Sequence, residues 1–396
     1  MASKLPPVVR ALGWVSFFTD AASDLIYPLL PAFLKSLGAG GGTLGVVEGV
    51  AESVGALVKW QAGKLSDRAR RRKPFVVLGY AVATFVRPLL AVATAPWHVV
   101  AVRSVDRVGK GIRSAPRDGI VASAVPPDAR AAAFGYHRMM DNAGAVLGPL
   151  LAFVLTRAFH LELRTVFALA LIPGLLALAT LIFGAREQTP SPNPSPTPSP
   201  NPSPTPTPTP TPLPRSLRLY LGLVGLFTLG ASADSFLLLR INDLGLDASL
   251  LPIVWLTLNA SKAATNLPGG RLADRIGRSR ALAMAWMVYA AAYVAFPLTQ
   301  SVALTWFLII LYGGYYGLAE GAEKALVADL APKDARGHAF GILHAITGIA
   351  VLPANAIFGA LYGTRHVALA FGSSAACAAL AAIGLSLLRP RAGTAS

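Results

Sequence analysis

The chain has 396 residues, 54% of them hydrophobic and only 14% charged, with a formal net charge of +16. Soluble proteins carry roughly 25% charged residues, so most of this chain needs no water-facing surface, which argues against a single soluble domain. Cys377 is the only cysteine, which excludes an intrachain disulfide and a cysteine-rich metal site.

Apolar runs of about 20 residues, long enough to cross a bilayer as helix, recur along the whole chain. In chain order they predict helices over 9–36, 42–66, 74–94, 97–124, 131–157 and 163–184. After a gap, six more are expected over 216–242, 248–272, 278–299, 302–330, 335–361 and 366–389. Met1 to Arg10 lack a cleavable-signal pattern, so the first helix is expected to be retained. The expected fold class is an all-α membrane protein of twelve transmembrane helices.

The basic residues gather in short loops, where orientation signals belong, and nucleic acid is not expected as a partner. Between the second and third helices lie Lys64, Arg68, Arg70, Arg71, Arg72 and Lys73, and between the eighth and ninth Arg271, Arg275, Arg278 and Arg280. By the positive-inside rule these loops and both termini are expected in the cytoplasm. In the gap, from Pro190 to Pro214, every second residue is proline. Such a tract favours extended polyproline II and reaches on the order of 80 Å at about 3.1 Å per residue. It reads as a tether or as a docking segment for a proline-binding partner.

The chain repeats itself. Gly63-Lys64-Leu65-Ser66-Asp67-Arg68 matches Gly270-Arg271-Leu272-Ala273-Asp274-Arg275, each just after the second helix of its half. Val125-Pro126-Pro127-Asp128-Ala129-Arg130 matches Ala331-Pro332-Lys333-Asp334-Ala335-Arg336, at almost the same separation. Two pseudo-symmetric six-helix bundles follow, at 1–184 and 216–396, joined by a cytoplasmic linker over 185–215. A doubled bundle suits alternating access, in which two halves rock about a central site.

At these residues the chain resembles the major facilitator superfamily. Its cytoplasmic motif, Gly-x-Leu-x-Asp-Arg followed by basic residues, occurs twice. Gly144-Ala145-Val146-Leu147-Gly148-Pro149 resembles the fifth-helix motif of the family's antiporters. Arg103 is similar to the family's buried fourth-helix arginine, although Asp106 and Arg107 replace the usual Gln-Gly. The run from Asp106 to Asp118, with Gly109-Lys110-Gly111, Arg113 and Pro116-Arg117, resembles a prokaryotic subgroup whose members mostly have no assigned substrate. The resemblance implies a monomer and gating roles for Gly63, Asp67, Arg68, Gly270, Asp274, Arg275, Gly144, Gly148 and Pro149.

An ionisable residue inside a spanning helix costs a few kcal/mol or more unless paired or wet, so each is a functional candidate. The first half is rich in them. Asp20 and Asp24 share a face of the first helix, Glu48, Glu52 and Lys59 a stripe of the second, and Arg87 lies in the third. The fourth carries Arg103, Asp106, Arg107, Lys110, Arg113, Arg117 and Asp118 along one face, and the fifth His137, Arg138 and Asp141. One reading is fixed structural pairing; the other is proton exchange by carboxylates and substrate contact by cations. Asp24 leads as the proton-coupling residue, followed by Glu52, with Asp20 and Glu48 beside them. Arg103, Arg107 and Lys110 are candidates for an anionic substrate group, because arginine binds planar oxyanions in bidentate fashion. Asp106, Arg138, Asp141, Asp234 and Asn259 complete the candidate substrate set. In the second half Lys262 and Asn266 extend the polar stripe of Asn259, and Tyr312, Tyr315, Tyr316 and Trp306 either line the cavity or pack.

No phosphate loop, zinc-protease motif or nucleophile elbow is present, so neither an ATPase nor a hydrolase is expected, and no cofactor or metal. The function expected is a secondary transporter of a small solute in a bacterial or archaeal plasma membrane. A proton-coupled exporter comes first, with an uptake symporter or a transporter-like solute sensor as alternatives.

Overall fold

The computed structural model describes residues 5–68, 72–126, 130–185, 213–332, 336–364 and 366–388. The proline tract between 186 and 212 lies outside the described residues, as do the side chains of Gly63, Asp67, Arg68 and Asp274.

Twelve long helical segments follow one another among the described residues. The first, α1, runs Pro7–Ile26 and continues through a 3-10 turn, Tyr27–Leu29, into Leu30–Ser36. Pro28 and Pro31 explain the change, since each lacks the amide hydrogen the α-helical pattern requires. Next come α2 (Gly41–Arg68), α3 (Lys73–Val86, tightening to a 3-10 stretch Arg87–Val92), α4 (Pro96–Ser123) and α5 (Arg130–Arg157). The sixth, α6, comprises Leu163–Leu169, Leu171–Ala179 and a wide turn Thr180–Gly184. The second half has α7 (Arg215–Gly230 and Ser235–Asp243, broken between), α8 (Leu251–Ile276), α9 (Arg278–Leu298), α10 (Val302–Leu330), α11 (Arg336–Gly363) and α12 (Val367–Leu387). These match the expected spans to within a few residues.

Nine of the described segments are long and apolar enough to cross a membrane by length and composition alone; α1, α4 and α8 are not among them. Those three carry Asp20 and Asp24, the arginine-rich face from Arg103 to Arg117, and the stripe from Asn259 to Asn266. Their polar faces turn inward, while Val92, Phe183, Leu298, Phe307 and Leu387 are exposed apolar residues on the outside, as lipid contact demands.

Within the first half α1 packs on α5 and α6, and α4 on α2 and α3; within the second, α8 packs on α10, and α9 on α10 and α12. Among the described residues the halves meet mainly along two seams, α2 with α11 and α5 with α8, and α1 also touches α7 and α8. Glycine permits the closest approaches. A side chain on Gly148 would place its Cβ 2.6 Å from the Ala21 carbonyl oxygen, so α5 lies backbone to backbone against α1. On the α2–α11 seam, Gly359 would meet the Gly41 carbonyl at 2.5 Å, and Gly45 would collide with the backbone of Asn355. These are the small-residue contacts by which membrane helices associate without a hydrophobic driving force.

The chain enters α1 and leaves α12 on one face, here the terminal side. Away from it, one continuous core joins the halves, with Leu29, Phe33, Leu44 and Val47 packed in the same cluster as Leu237, Ile241, Phe358 and Tyr362. Toward the terminal side the first half keeps a separate core of Val9, Leu12, Val76, Tyr80, Val121 and Leu181. The far side is further tied by Lys35 Nζ, which donates to Asp243 Oδ1 at 2.7 Å, and Tyr362, which donates to Asp243 Oδ2 at 2.8 Å. Lys110, Asn142, Asn266, Glu320 and Lys324, all on helices flanking the seams, are exposed. The halves are thus joined on the far side, and polar side chains between them face water toward the terminal side.

Candidate functional site

In the first half the inward charges form a chain of pairs. Arg87 Nε donates to Asp106 Oδ1 at 2.8 Å, and its Nη1 donates to the Thr19 carbonyl at 3.1 Å, tying α3 to α4 and α1. Arg103 lies 3.6 Å from Glu48 and 3.8 Å from Asp106, distances of charge contact rather than hydrogen bonding, and Glu48 Oε1 has no hydrogen-bond partner among the described residues. All four side chains are buried. One turn along, Arg107 Nε lies 2.8 Å from Glu52, whose side chain is 46% exposed and so belongs to the open space between the halves. Lys110 is exposed on the same face.

Nearer the terminal side, His137 meets Ser16 Oγ at 3.1 Å and Asp141 at 3.5 Å, and Arg138, largely exposed, lies 3.9 Å from Asp141. Arg117 pairs with Asp118 at 2.9 Å, and the Arg113 guanidinium stacks over the Tyr80 ring at 4.3 Å. Asp20 lies within electrostatic reach of Asp141, Lys110, Arg113 and Arg117.

The second half centres on the break in α7. Between Gly230 and Ser235 the backbone leaves the helix, and its freed groups are satisfied by side chains, as burial requires. Asn355 Oδ1 on α11 accepts from the Ala233 amide at 2.8 Å, the Ser232 amide donates to Tyr289 Oη at 3.4 Å, and Ser374 Oγ donates to the Gly230 carbonyl. The break points the Asp234 carboxylate at α8 and α10. Lys262 Nζ donates to Asp234 Oδ2 at 2.7 Å, while Tyr312 and Tyr316 donate to Oδ1 at 2.6 and 3.0 Å. The same ammonium sits 3.9 Å from the centre of the Tyr316 ring and 5.5 Å from that of Trp255. Behind them Tyr289 and Tyr293 stack at 4.1 Å, and Tyr293 shares a 2.8 Å hydrogen bond with Ser232.

Trp255 joins the two clusters. Its indole Nε1 donates to Asp24 Oδ1 at 3.0 Å across the halves, and its ring packs on Tyr27 at 4.7 Å. Tyr27 in turn lies under the Arg103 guanidinium at 5.1 Å. A continuous path of side chains therefore runs from Asp106 through Arg103, Tyr27 and Trp255 to Lys262 and Asp234.

The expected residues thus fall in distinct places. Asp24, Glu48 and Glu52 gather near the meeting of the halves, whereas Asp20 and Asp141 lie toward the terminal side. Arg103 and Asp106 are held in buried pairs, Arg107 and Lys110 border the opening, and Asp234 sits at the centre of the second cluster. Asn259 Nδ2 is buried with no hydrogen-bond partner among the described residues. Gly144 and Gly148 form the α1–α5 contact, and Gly270, with room around it, and Arg275 lie in the last two turns of α8. The sequence reading did not single out Trp255, Asn355, Tyr289 or Tyr293. Trp255 lies four residues before Asn259, so extending that polar stripe by one turn reaches it.

Inward charge pairs, a broken α7 and two halves meeting at a central site are what a solute carrier requires, and the comparisons with known proteins agree. The Major Facilitator Superfamily model matches residues 12–260 and 239–396. The chain belongs to the major facilitator superfamily. An uncharacterised MFS-type transporter of Methanocaldococcus jannaschii is 32% identical over 360 residues, covering 89% of this chain and 88% of that one. A multi-drug resistance efflux pump of Streptococcus pneumoniae, PmrA, is 24% identical over 340 residues, covering 82% of each. Among solved structures, the nucleoside transporter NupG superposes with a TM-score of 0.78 at 11% identity, over 97% of this chain and 100% of that one. A bacterial homologue of the human lysosomal transporter Spinster does so with a TM-score of 0.71 at 16% identity, over 96% and 94%. The fold is that of the superfamily, and the protein is a multi-pass membrane transporter.

Proposed function

We propose that this facilitator is a proton-coupled exporter of a small solute, working as a monomer in the plasma membrane with both termini in the cytoplasm. On that reading residues 1–184 and 216–396 are the two moving units, and 185–215 tethers them. The observation that carries the reading is the Asp24–Trp255 hydrogen bond, at 3.0 Å between the halves. A carboxylate is a stronger acceptor than a carboxylic acid, so the bond tightens when Asp24 is ionised and slackens when it is protonated. Proton release into the open side and closure of the far side are then one event.

Export rather than uptake is supported by the Gly144 to Pro149 run of α5, which resembles the antiporter motif, and by relatives named as efflux pumps. Arg107 with Glu52, and Lys110, border the opening and are charges that a solute from the cytoplasm would meet. The test is proton antiport in everted vesicles with a respiration-generated pH gradient, read by a pH-sensitive dye. Cationic, anionic and neutral solutes are added in turn. A solute class is expected to collapse the gradient with the intact protein and not with Asp24→Asn. Equal collapse by both proteins removes Asp24 from the coupling, and solute-dependent proton entry in the opposite direction makes the protein a symporter.

A further inference from the structure

The Asp234 cluster has the chemistry of a site for a positive charge, and it already contains one. We propose that Asp234, Tyr316, Tyr312 and Trp255 form a binding site for an organic cation, and that Lys262 occupies it as a built-in competitor when no solute is bound. The proposal rests on the reading that solute binds between the halves, and it adds the solute's charge.

The ammonium of Lys262 makes the contacts a ligand ammonium would make. It lies 2.7 Å from a carboxylate oxygen, 3.9 Å from the centre of one aromatic ring and 5.5 Å from that of another. A cation held against ring faces in a partly desolvated space gains from the ring quadrupoles as well as from the carboxylate. Tyr312 and Tyr316 spend their hydroxyl hydrogens on Asp234, which fixes the carboxylate, and the Tyr316 ring faces the charge. The site lies at the break of a spanning helix, where irregular backbone is tolerated only when it is buried in protein or lines a cavity. Asn259, one turn before Lys262 on α8, keeps a buried amide hydrogen donor uncommitted, available to a polar group of a solute.

Lys262 can leave. Its side chain is 20% exposed, against 9% for Asp234, and it reaches the carboxylate on a flexible four-carbon stem from the face of α8 that continues to exposed Asn266. Swinging one turn toward the terminal side puts the ammonium in water and empties the cage. A solute anion has no such exchange open to it, because Lys262 is already neutralised by a fixed carboxylate 2.7 Å away.

The proposal is tested with two probes of one shape and opposite charge, tetraphenylphosphonium and tetraphenylborate. Equilibrium binding to the purified, detergent-solubilised full chain is followed by tryptophan fluorescence. Removing the competing charge, in Lys262→Ala, is expected to tighten phosphonium binding on the order of tenfold, the effect of about 1.4 kcal/mol. Asp234→Asn is expected to weaken it by a similar factor. Lys262→Met, which keeps the stem, should behave as Lys262→Ala and serves if the alanine variant fails to fold. Phosphonium binding unchanged or weakened in both Lys262 variants overturns the proposal, as does preferential borate binding that is lost with Lys262. These outcomes are separable from those of the vesicle assay. Antiport without phosphonium binding leaves the exporter reading standing and sinks the cation site, and binding without antiport does the reverse.

Discussion

In the first half, Arg87, Arg103, Asp106 and Glu48 are all buried and hold one another through side chains from three helices; in the second, one lysine and one carboxylate sit among tyrosines. The two halves descend from the same repeat, yet one has filled its centre with ion pairs and the other with aromatic rings. An ionic lattice is rigid in composition, because removing any member strands its partner in a medium that cannot solvate it. An aromatic cluster with a single pair tolerates exchange of that pair, since the rings lose little when one cation replaces another. On the proposed reading, the first half is the frame and the proton site, and the second is the part that adapts to cargo.

The comparison can be broken most sharply at Arg87. Arg87→Leu leaves Asp106 without its closest cation, and removal of one member of a buried pair costs about 3–5 kcal/mol. The purified variant is expected to melt far below the parent in detergent, and a melting temperature within a few degrees of it would mean the lattice carries no such weight. Gly148→Leu should come next. Its side chain falls on the backbone of Ala21 and Leu25, and overpacking of this kind costs about 1–3 kcal/mol, with transport lost because α1 and α5 can no longer seat. In the second half, Tyr293→Phe removes one hydrogen bond to Ser232 while keeping the stacked ring, and should cost only about 1 kcal/mol in the same melt. A loss as large as that of Arg87→Leu would erase the contrast between the halves. Smallest is Lys35→Ala on the far side. Its exposed pair with Asp243 is worth about 0–1 kcal/mol, so stability should hold while labelling of a cysteine placed on the far side becomes faster.

The helices were legible because apolar length is a property of the chain alone, and the doubled Gly-x-Leu-x-Asp-Arg motif made the two halves visible. The first-half charges were legible too, since any charge in a spanning helix must turn inward. Which carboxylate meets which arginine was not. Arg103, Arg107 and Lys110 looked equivalent on one helical face, yet Arg103 is buried against Glu48 while Lys110 is exposed, a distinction set by the depth of neighbouring helices. Trp255 and Asn355 escaped notice because each is a lone side chain in its own helix and acquires meaning only opposite Asp24 or the broken α7. The break itself, at Ala231 to Asp234, contains no proline; Gly230, Ser232 and Asp234 only weaken the helix there, and Asn355, Tyr289 and Ser374 from three other helices complete its hydrogen bonds.

The glycine seam between α2 and α11 bears on how fast such a machine can cycle. Gly41, Gly45 and Gly359 present bare backbone to backbone, with Ser53 donating to the Gly348 carbonyl at 3.1 Å as the seam's described hydrogen bond. Interdigitated side chains would have to unlock rotamer by rotamer before the faces could separate. At Gly45 and Gly359 there is no side chain to unlock, and closure there returns to the same register because only glycine-deep contact fits. If the halves rock as proposed, a seal of bare backbone at these points would leave more of the energy of each turnover for moving solute than for prying the protein apart.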